Sequence, residues 1–145
     1  MSLPSPCLTS VRALVLGDDA SVLVFWDSKG QPQLLPGGRR EPGESLLETL
    51  HREVLEETGI EPLNPLPLGF LRCHHLGPRP NGYPFPYPDF IQPVFLAWPG
   101  KERPCARVHD PYVTRSLFCP LAEVWKLPLR AVDRVFLSAA LGGRT

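Results

Sequence analysis

Two β-rich runs open the chain, Val11 to Leu16 and Ser21 to Trp26. Gly17-Asp18-Asp19 lies between them, so together they predict a hairpin. Gln33 to Leu35 reads as a short third strand, stopped by Pro36-Gly37-Gly38. From Ser45 to Thr58 the period lengthens, and Leu46, Leu47, Leu50 and Val54 fall on one helical stripe. Gly43 precedes this helix, Glu44 can cap it, and Gly59 stands where a left-handed terminal residue belongs. Leu66 to His74, Phe90 to Trp98 and Tyr112 to Phe118 read as further strands, with Pro93 predicting an edge position or a bulge. A second helix is expected over Leu129 to Leu141, opened by Pro128, with Leu129, Val132, Phe136 and Ala139 as its buried stripe. Strands and helices mixed in this way predict an α/β fold around a mixed sheet.

The 145 residues suit one domain, 1–145, large enough for a real core. Nineteen prolines exclude an all-helical bundle. Fifteen basic residues balance fifteen acidic ones, which argues against a broad electrostatic grip on duplex nucleic acid. No apolar run approaches the ~20 residues that span a bilayer, and no basic stretch followed by an apolar core marks a secretory leader. Cys7, Cys73, Cys105 and Cys119 form no C-x-x-C pair, and His51, His74, His75 and His109 lack ligand spacing. The expectation is a cytoplasmic protein with reduced thiols and no zinc site.

One segment departs from the neutral average. Glu44, Glu48, Glu53, Glu56 and Glu57 face a single arginine, Arg52. Glu53 and Glu57 are i,i+4 neighbours, where like charges repel, and they sit towards the helix C-terminus, where the macrodipole disfavours anions. Such a cluster becomes favourable when a hard divalent cation sits among the carboxylates, and magnesium commonly combines a few carboxylates with water and substrate phosphate.

The surrounding residues extend the pattern. Gly38, five residues, Glu44, seven residues, then Arg52-Glu53-Val54-Leu55-Glu56-Glu57-Thr58-Gly59-Ile60 resembles the Nudix box, and Leu35-Pro36-Gly37 before it is similar to the same family. The resemblance implies a single-domain α/β/α sandwich with a mixed sheet. It implies a magnesium-dependent hydrolase, with manganese able to substitute, that cleaves the diphosphate linkage of nucleoside diphosphate-X compounds. Glu53, Glu56 and Glu57 would hold the metal, joined by the Gly38 carbonyl. Glu44 would support the site and Arg52 would orient the glutamates, with Glu53 or Glu56 available as the base. Asp89, Glu102 and Asp110 are the alternatives for that base. The rival implication is a nucleotide-sensing domain without catalysis, although such domains usually lose box glutamates and these are intact.

The partner expected is a small nucleotide-like diphosphate, with the protein a monomer or homodimer. Selectivity has to come from outside the box. Arg39 and Arg72 are candidates for phosphate. Tyr83 and Phe85 lie in a proline-rich stretch, with Tyr87 and Phe90 beyond, and form either a lid on the core or a stacking platform. In an extended chain, Tyr83, Phe85 and Tyr87 would share one side.

Overall fold

The computed structural model describes residues 8–84, 87–103 and 113–142. Its elements are β1 (Ser10–Gly17), β2 (Ser21–Asp27), β3 (Pro32–Gln33), β4 (Gly37–Arg39), α1 (Leu46–Thr58), β5 (Ile60–His74), β6 (Asp89–Glu102), β7 (Val113–Pro120), α2 (Leu121–Val124) and α3 (Ala131–Ala140). The strands form a mixed sheet with the order β3-β2-β1-β6-β5, to which β4 adds on β1 and β7 on β2. β1 and β6 run parallel from Arg12 opposite Val94 to Val15 opposite Ala97; the other ladders are antiparallel.

Alternation along the strands sends side chains into two cores. Val11, Ala13 and Val15 of β1 join Leu23, Ala97, and Leu50 and Val54 of α1. Leu14 of β1 joins Val22, Val24 and Val94, together with Val124, Phe136 and Leu137 of α2 and α3. Helices therefore cover both faces, which is the expected α/β/α sandwich. No helix among the described residues is long and apolar enough to cross a membrane.

Several boundaries differ from the sequence expectation. The third strand is Pro32–Gln33, while Leu34 and Leu35 leave it and bury completely. Gly37–Arg39, expected only as a stop, pairs with β1 as β4. β6 is an interior strand, and β5 is the edge. Pro93 lies one residue before the β1 ladder begins and opposite Phe70, beside a shift of register between Pro67 and Gly69. β5 begins at Ile60, well before Leu66, and carries Pro62, Pro65 and Pro67.

Both helices bury most of the expected stripe, Leu50 and Val54 in α1 and Phe136 in α3, with Leu46 and Val132 packed against the cores, but each departs from it at one position and adds polar residues. In α1, Leu47 is half exposed, and Thr49 and Thr58 bury with Leu50 and Val54. Their hydroxyls donate to the carbonyls of Ser45 and Val54, four residues earlier, which removes the cost of burying them. In α3, Ala139 is exposed, and Asp133 buries beside Phe136 and Leu137. Asp133 takes two hydrogen bonds from Arg130, at 2.9 and 3.1 Å, and one from the Leu34 amide at 3.2 Å.

Candidate functional site

α1 carries the acidic residues and is fixed at both ends by its own sequence. Ser45, not Glu44, is the N-cap. Its hydroxyl accepts from the Glu48 amide at 3.1 Å and Glu48 accepts from the Ser45 amide at 3.0 Å, a reciprocal capping box. At the other end Gly59 turns left-handed at φ 74°, and its amide donates to Leu55. The helix register, and so the direction of every glutamate on it, is set locally.

Arg52 is the hub. Its Nε donates to Glu44 Oε2 at 2.7 Å and its Nη2 to Glu44 Oε1 at 2.9 Å. Nη1 reaches Glu53 Oε1 at 2.9 Å and Glu56 Oε2 at 3.4 Å, and Nη2 also donates to the Arg39 carbonyl at 3.1 Å. One guanidinium thus ties the loop before α1 to two helix glutamates. The carboxylates hold it protonated even more firmly than usual, with Glu44 the largest contributor.

Glu44 is saturated. Besides Arg52, it accepts from the Glu41 amide at 2.9 Å and the Thr49 hydroxyl at 3.0 Å. These bonds, Arg52 first, hold its carboxyl down at about 2. Glu53 goes the other way: burial pushes its carboxyl up, against the pull of Arg52, with Glu56 and Glu44 adding repulsion.

Gly38 on β4 meets Glu53 directly. A Cβ there would stand 2.5 Å from Glu53 Cδ, so only glycine lets the strand backbone lie this close to the carboxylate. Glu57 follows Glu53 by one helical turn. The donor set of Glu53, Glu56, Glu57 and the Gly38 carbonyl is all oxygen, which suits a hard divalent cation. Among the described residues, no three His, Cys, Asp or Glu side chains already converge as a cage. Glu53 and Glu56 instead turn towards Arg52, the cation within reach.

Beside this cluster, at the N-terminal ends of β1 and β6, lies a cavity of about 160 Å³. Gly38 lines it, as do Ser10, Arg12, Arg39, Tyr83 and Gln92. Gly38 is therefore a wall shared by the acid cluster and the cavity. Two of the expected substrate residues, Arg39 and Tyr83, meet here. Arg72 does not: its side chain is 75% exposed and lies 3.9 Å from Asp89. Phe85 and Asp110 lie outside the described residues, so the shared side expected for Phe85 with Tyr83 and Tyr87 falls outside them too.

Of the alternative bases, Asp89 is bonded to His74 at 2.9 Å, which lowers its carboxyl, and Glu102 is exposed at the end of β6. The aromatic residues gather around His75. Tyr87 stacks on it at 4.9 Å, Tyr83 meets it edge-on at 5.5 Å, and Phe90 lies at 5.2 Å.

Arg12 and Gln92 were not singled out from the sequence. Arg12 reads there as one polar position in an apolar strand, and its partner is 80 residues away.

A chain with this sandwich and this glutamate helix falls in a known class. It belongs to the Nudix hydrolase family, whose NUDIX domain model matches residues 8–140. It is 31% identical over 131 residues to the 8-oxo-dGDP phosphatase NUDT18 of Homo sapiens, an alignment covering 88% of this chain. The chain spans 36% of that relative's length. Among solved structures it resembles a NUDIX hydrolase from Nitrosomonas europaea, with a TM-score of 0.72 and 21% identity over 94% of this chain and 90% of that one. It also resembles the NUDIX domain of Shewanella oneidensis NrtR, solved with ADP-ribose, with a TM-score of 0.70 and 22% identity over 95% and 88% of the two chains. Nudix hydrolases as a class use divalent metal ions.

Proposed function

We propose that this chain is a magnesium-dependent hydrolase that cleaves the diphosphate linkage of nucleoside diphosphate-X compounds. The observation that carries the reading is the single guanidinium of Arg52, bonded at once to Glu44, Glu53 and Glu56. A solvated acidic face has no need of such an organiser.

In this reading Glu53, Glu56 and Glu57 hold the ion, with the Gly38 carbonyl. When bound, magnesium or manganese neutralises the diphosphate and makes a coordinated water more acidic. Arg52 and Glu44 are positioning residues, since Glu44 spends its oxygens on Arg52, Thr49 and the Glu41 amide. Glu53 is the favoured base. Its Oε1 is held by Arg52, and burial raises its proton affinity above that of an ordinary carboxylate, which favours it as the proton acceptor. Arg39 and Tyr83, on the cavity wall beyond Gly38, contact the substrate. The name of the human relative adds 8-oxo-dGDP to the compounds worth testing.

The test is a product-resolved hydrolysis screen with magnesium across nucleoside diphosphates, nucleotide sugars and dinucleoside polyphosphates. Turnover of at least one class, lost in Glu53→Gln and Glu57→Gln, is the expected result. Tight binding with no turnover of any compound would replace this reading by a nucleotide-sensing one.

A further inference from the structure

Thr49 stands near the start of α1 and is 0% exposed. A buried threonine is tolerated in a helix when its hydroxyl donates to the carbonyl four residues back, and Ser45 supplies that carbonyl at 3.0 Å. The same carbonyl accepts the Thr49 amide at 3.0 Å, and its two lone pairs serve both donors. Burial of Thr49 is therefore satisfied within its own helix. Yet Oγ1 lies equally close, at 3.0 Å, to a second acceptor, Oε1 of Glu44. A hydroxyl has one hydrogen, and the charged acceptor draws it more strongly than the neutral one. This second contact is more than burial requires.

Glu44 shows what the contact does. Its Oε1 accepts from the Glu41 amide at 2.9 Å, from the Thr49 hydroxyl and from Arg52 Nη2 at 2.9 Å, while Oε2 accepts from Arg52 Nε at 2.7 Å. A bidentate pair moves as one plane, so Arg52 alone would leave carboxylate and guanidinium free to turn together. The Glu41 amide and the Thr49 hydroxyl supply the fixed points. The amide belongs to an exposed loop residue, whereas Thr49 is buried on a capped helix. Beyond Glu44 the contacts run from Arg52 Nη1 to Glu53 Oε1 at 2.9 Å and Glu56 Oε2 at 3.4 Å.

From this geometry we infer that Thr49 is a positioning residue. Through Glu44 it holds the Arg52 guanidinium in the plane in which Nη1 meets Glu53 and Glu56. It acts on the reaction only through these neighbours. The inference rests on the proposed hydrolase for its link to catalysis, and on the hydrogen bonds alone for its link to Arg52.

The experiment deletes the hydroxyl from two backgrounds, comparing Thr49→Val with wild type and Thr49→Ala with Thr49→Ser. The first readout is the proton–nitrogen correlation signal of Arg52 Nε–H in metal-free protein, which needs no turnover. It should be sharp and protected from solvent exchange in wild type and Thr49→Ser, and broadened or lost in Thr49→Val and Thr49→Ala. The second readout is kcat and KM with magnesium on GDP, UDP-glucose and diadenosine tetraphosphate, one compound from each class of the screen. In Thr49→Val, kcat should fall by about tenfold, the worth of one hydrogen bond to a charged acceptor, with KM within about twofold of wild type. Thr49→Ser should recover most of kcat. The Tm of Thr49→Val should stay within about 3 °C of wild type, because deleting the hydroxyl orphans no buried group. Should valine disturb the fold, the Ser and Ala variants decide. An unchanged Arg52 signal in both hydroxyl-free variants would overturn the proposal. So would a lost signal with kcat intact, or equal kinetics for Thr49→Ser and Thr49→Ala, either of which would leave the hydroxyl a support for folding alone. If wild type turns over none of these compounds, the hydrolase reading fails and the Arg52 signal still decides whether Thr49 holds the guanidinium; turnover with that signal unmoved does the reverse.

Discussion

Arg52 and Glu44 meet along a full guanidinium edge, Nε to Oε2 at 2.7 Å and Nη2 to Oε1 at 2.9 Å, across the junction of loop and helix. The pairing is bidentate, and both side chains are mostly buried, at 23% and 18% exposure. It locks Arg52 in one rotamer, and that fixes where Nη1 holds Glu53 and Glu56.

Arg52→Ala should therefore damage folding and chemistry together. It strips the shared cation from Glu41, Glu44, Glu53 and Glu56. The Tm should fall by about 5 °C or more and kcat by about a hundredfold or more. Arg52→Lys should recover part of the Tm but little of kcat, because an ammonium cannot fork. A lysine variant with full kcat would show that charge alone suffices.

The same pair sets a pH dependence. Glu44 titrates at about 2 in the fold against an ordinary 4.5, so between these values the unfolded chain binds more protons. Its contribution is complete above about pH 5 and lost as pH falls towards 2. Glu44→Gln should be less stable than wild type at pH 6–7, and the gap in Tm should close by pH 2–3. A gap constant with pH would mean that the ionised form of Glu44 contributes nothing.

Chelation should abolish hydrolysis, and magnesium or manganese should restore it. The ions should also raise the Tm, because the proposed site of Glu53, Glu56 and Glu57 exists only in the folded chain. Full turnover in excess chelator would remove the metal from the proposed function.

Gly38→Ala should lower kcat by about tenfold or more, since the added methyl would collide with the Glu53 carboxylate at 2.5 Å. The Gly38 wall also borders the cavity, so KM should rise too. Gly30→Ala makes a useful contrast: its left-handed φ of 79° strains the backbone, but no atom lies near the added methyl, so stability alone should suffer. Wild-type kinetics for Gly38→Ala would show that Glu53 can move aside freely.

Tyr83→Ala tests the aromatic cluster. Tyr83 packs against His75 and also lines the cavity. Loss of a stacking surface worth about 1–3 kcal/mol should raise KM roughly tenfold. The side chain is only half buried, so the Tm should drop by only a few degrees. A large fall in Tm with KM unchanged would make Tyr83 a lid rather than a platform.

The acidic helix was legible because its signals are local. Ser45 and Glu48 form the cap, Gly59 ends it, and the glutamates are spaced within a few turns. Even so, Glu44 reads as the cap from its position, and only the loop geometry shows that Arg52 claims it. Thr49, Thr58 and Asp133 escaped because apolar periodicity counts side chains that avoid water. These three bury by satisfying their polar atoms, Asp133 through Arg130 and the Leu34 amide. The first residues of β5 escaped because Pro62 and Pro65 argue against a strand, and that argument weakens at an edge. Arg12 and Gln92 belong to strands that become neighbours only when the parallel ladder forms.

β5 closes the sheet in a particular way. It is a long edge with Leu66 and Phe70 exposed, a composition that invites a foreign strand to add on. Yet Pro62, Pro65 and Pro67 have no N–H to offer, and the register shifts three times before Gly69. An incoming chain would find no continuous ladder to extend along Ile60 to Pro67. The prolines that obscure this half of the strand in the sequence thus guard that half of the sheet edge against a foreign strand.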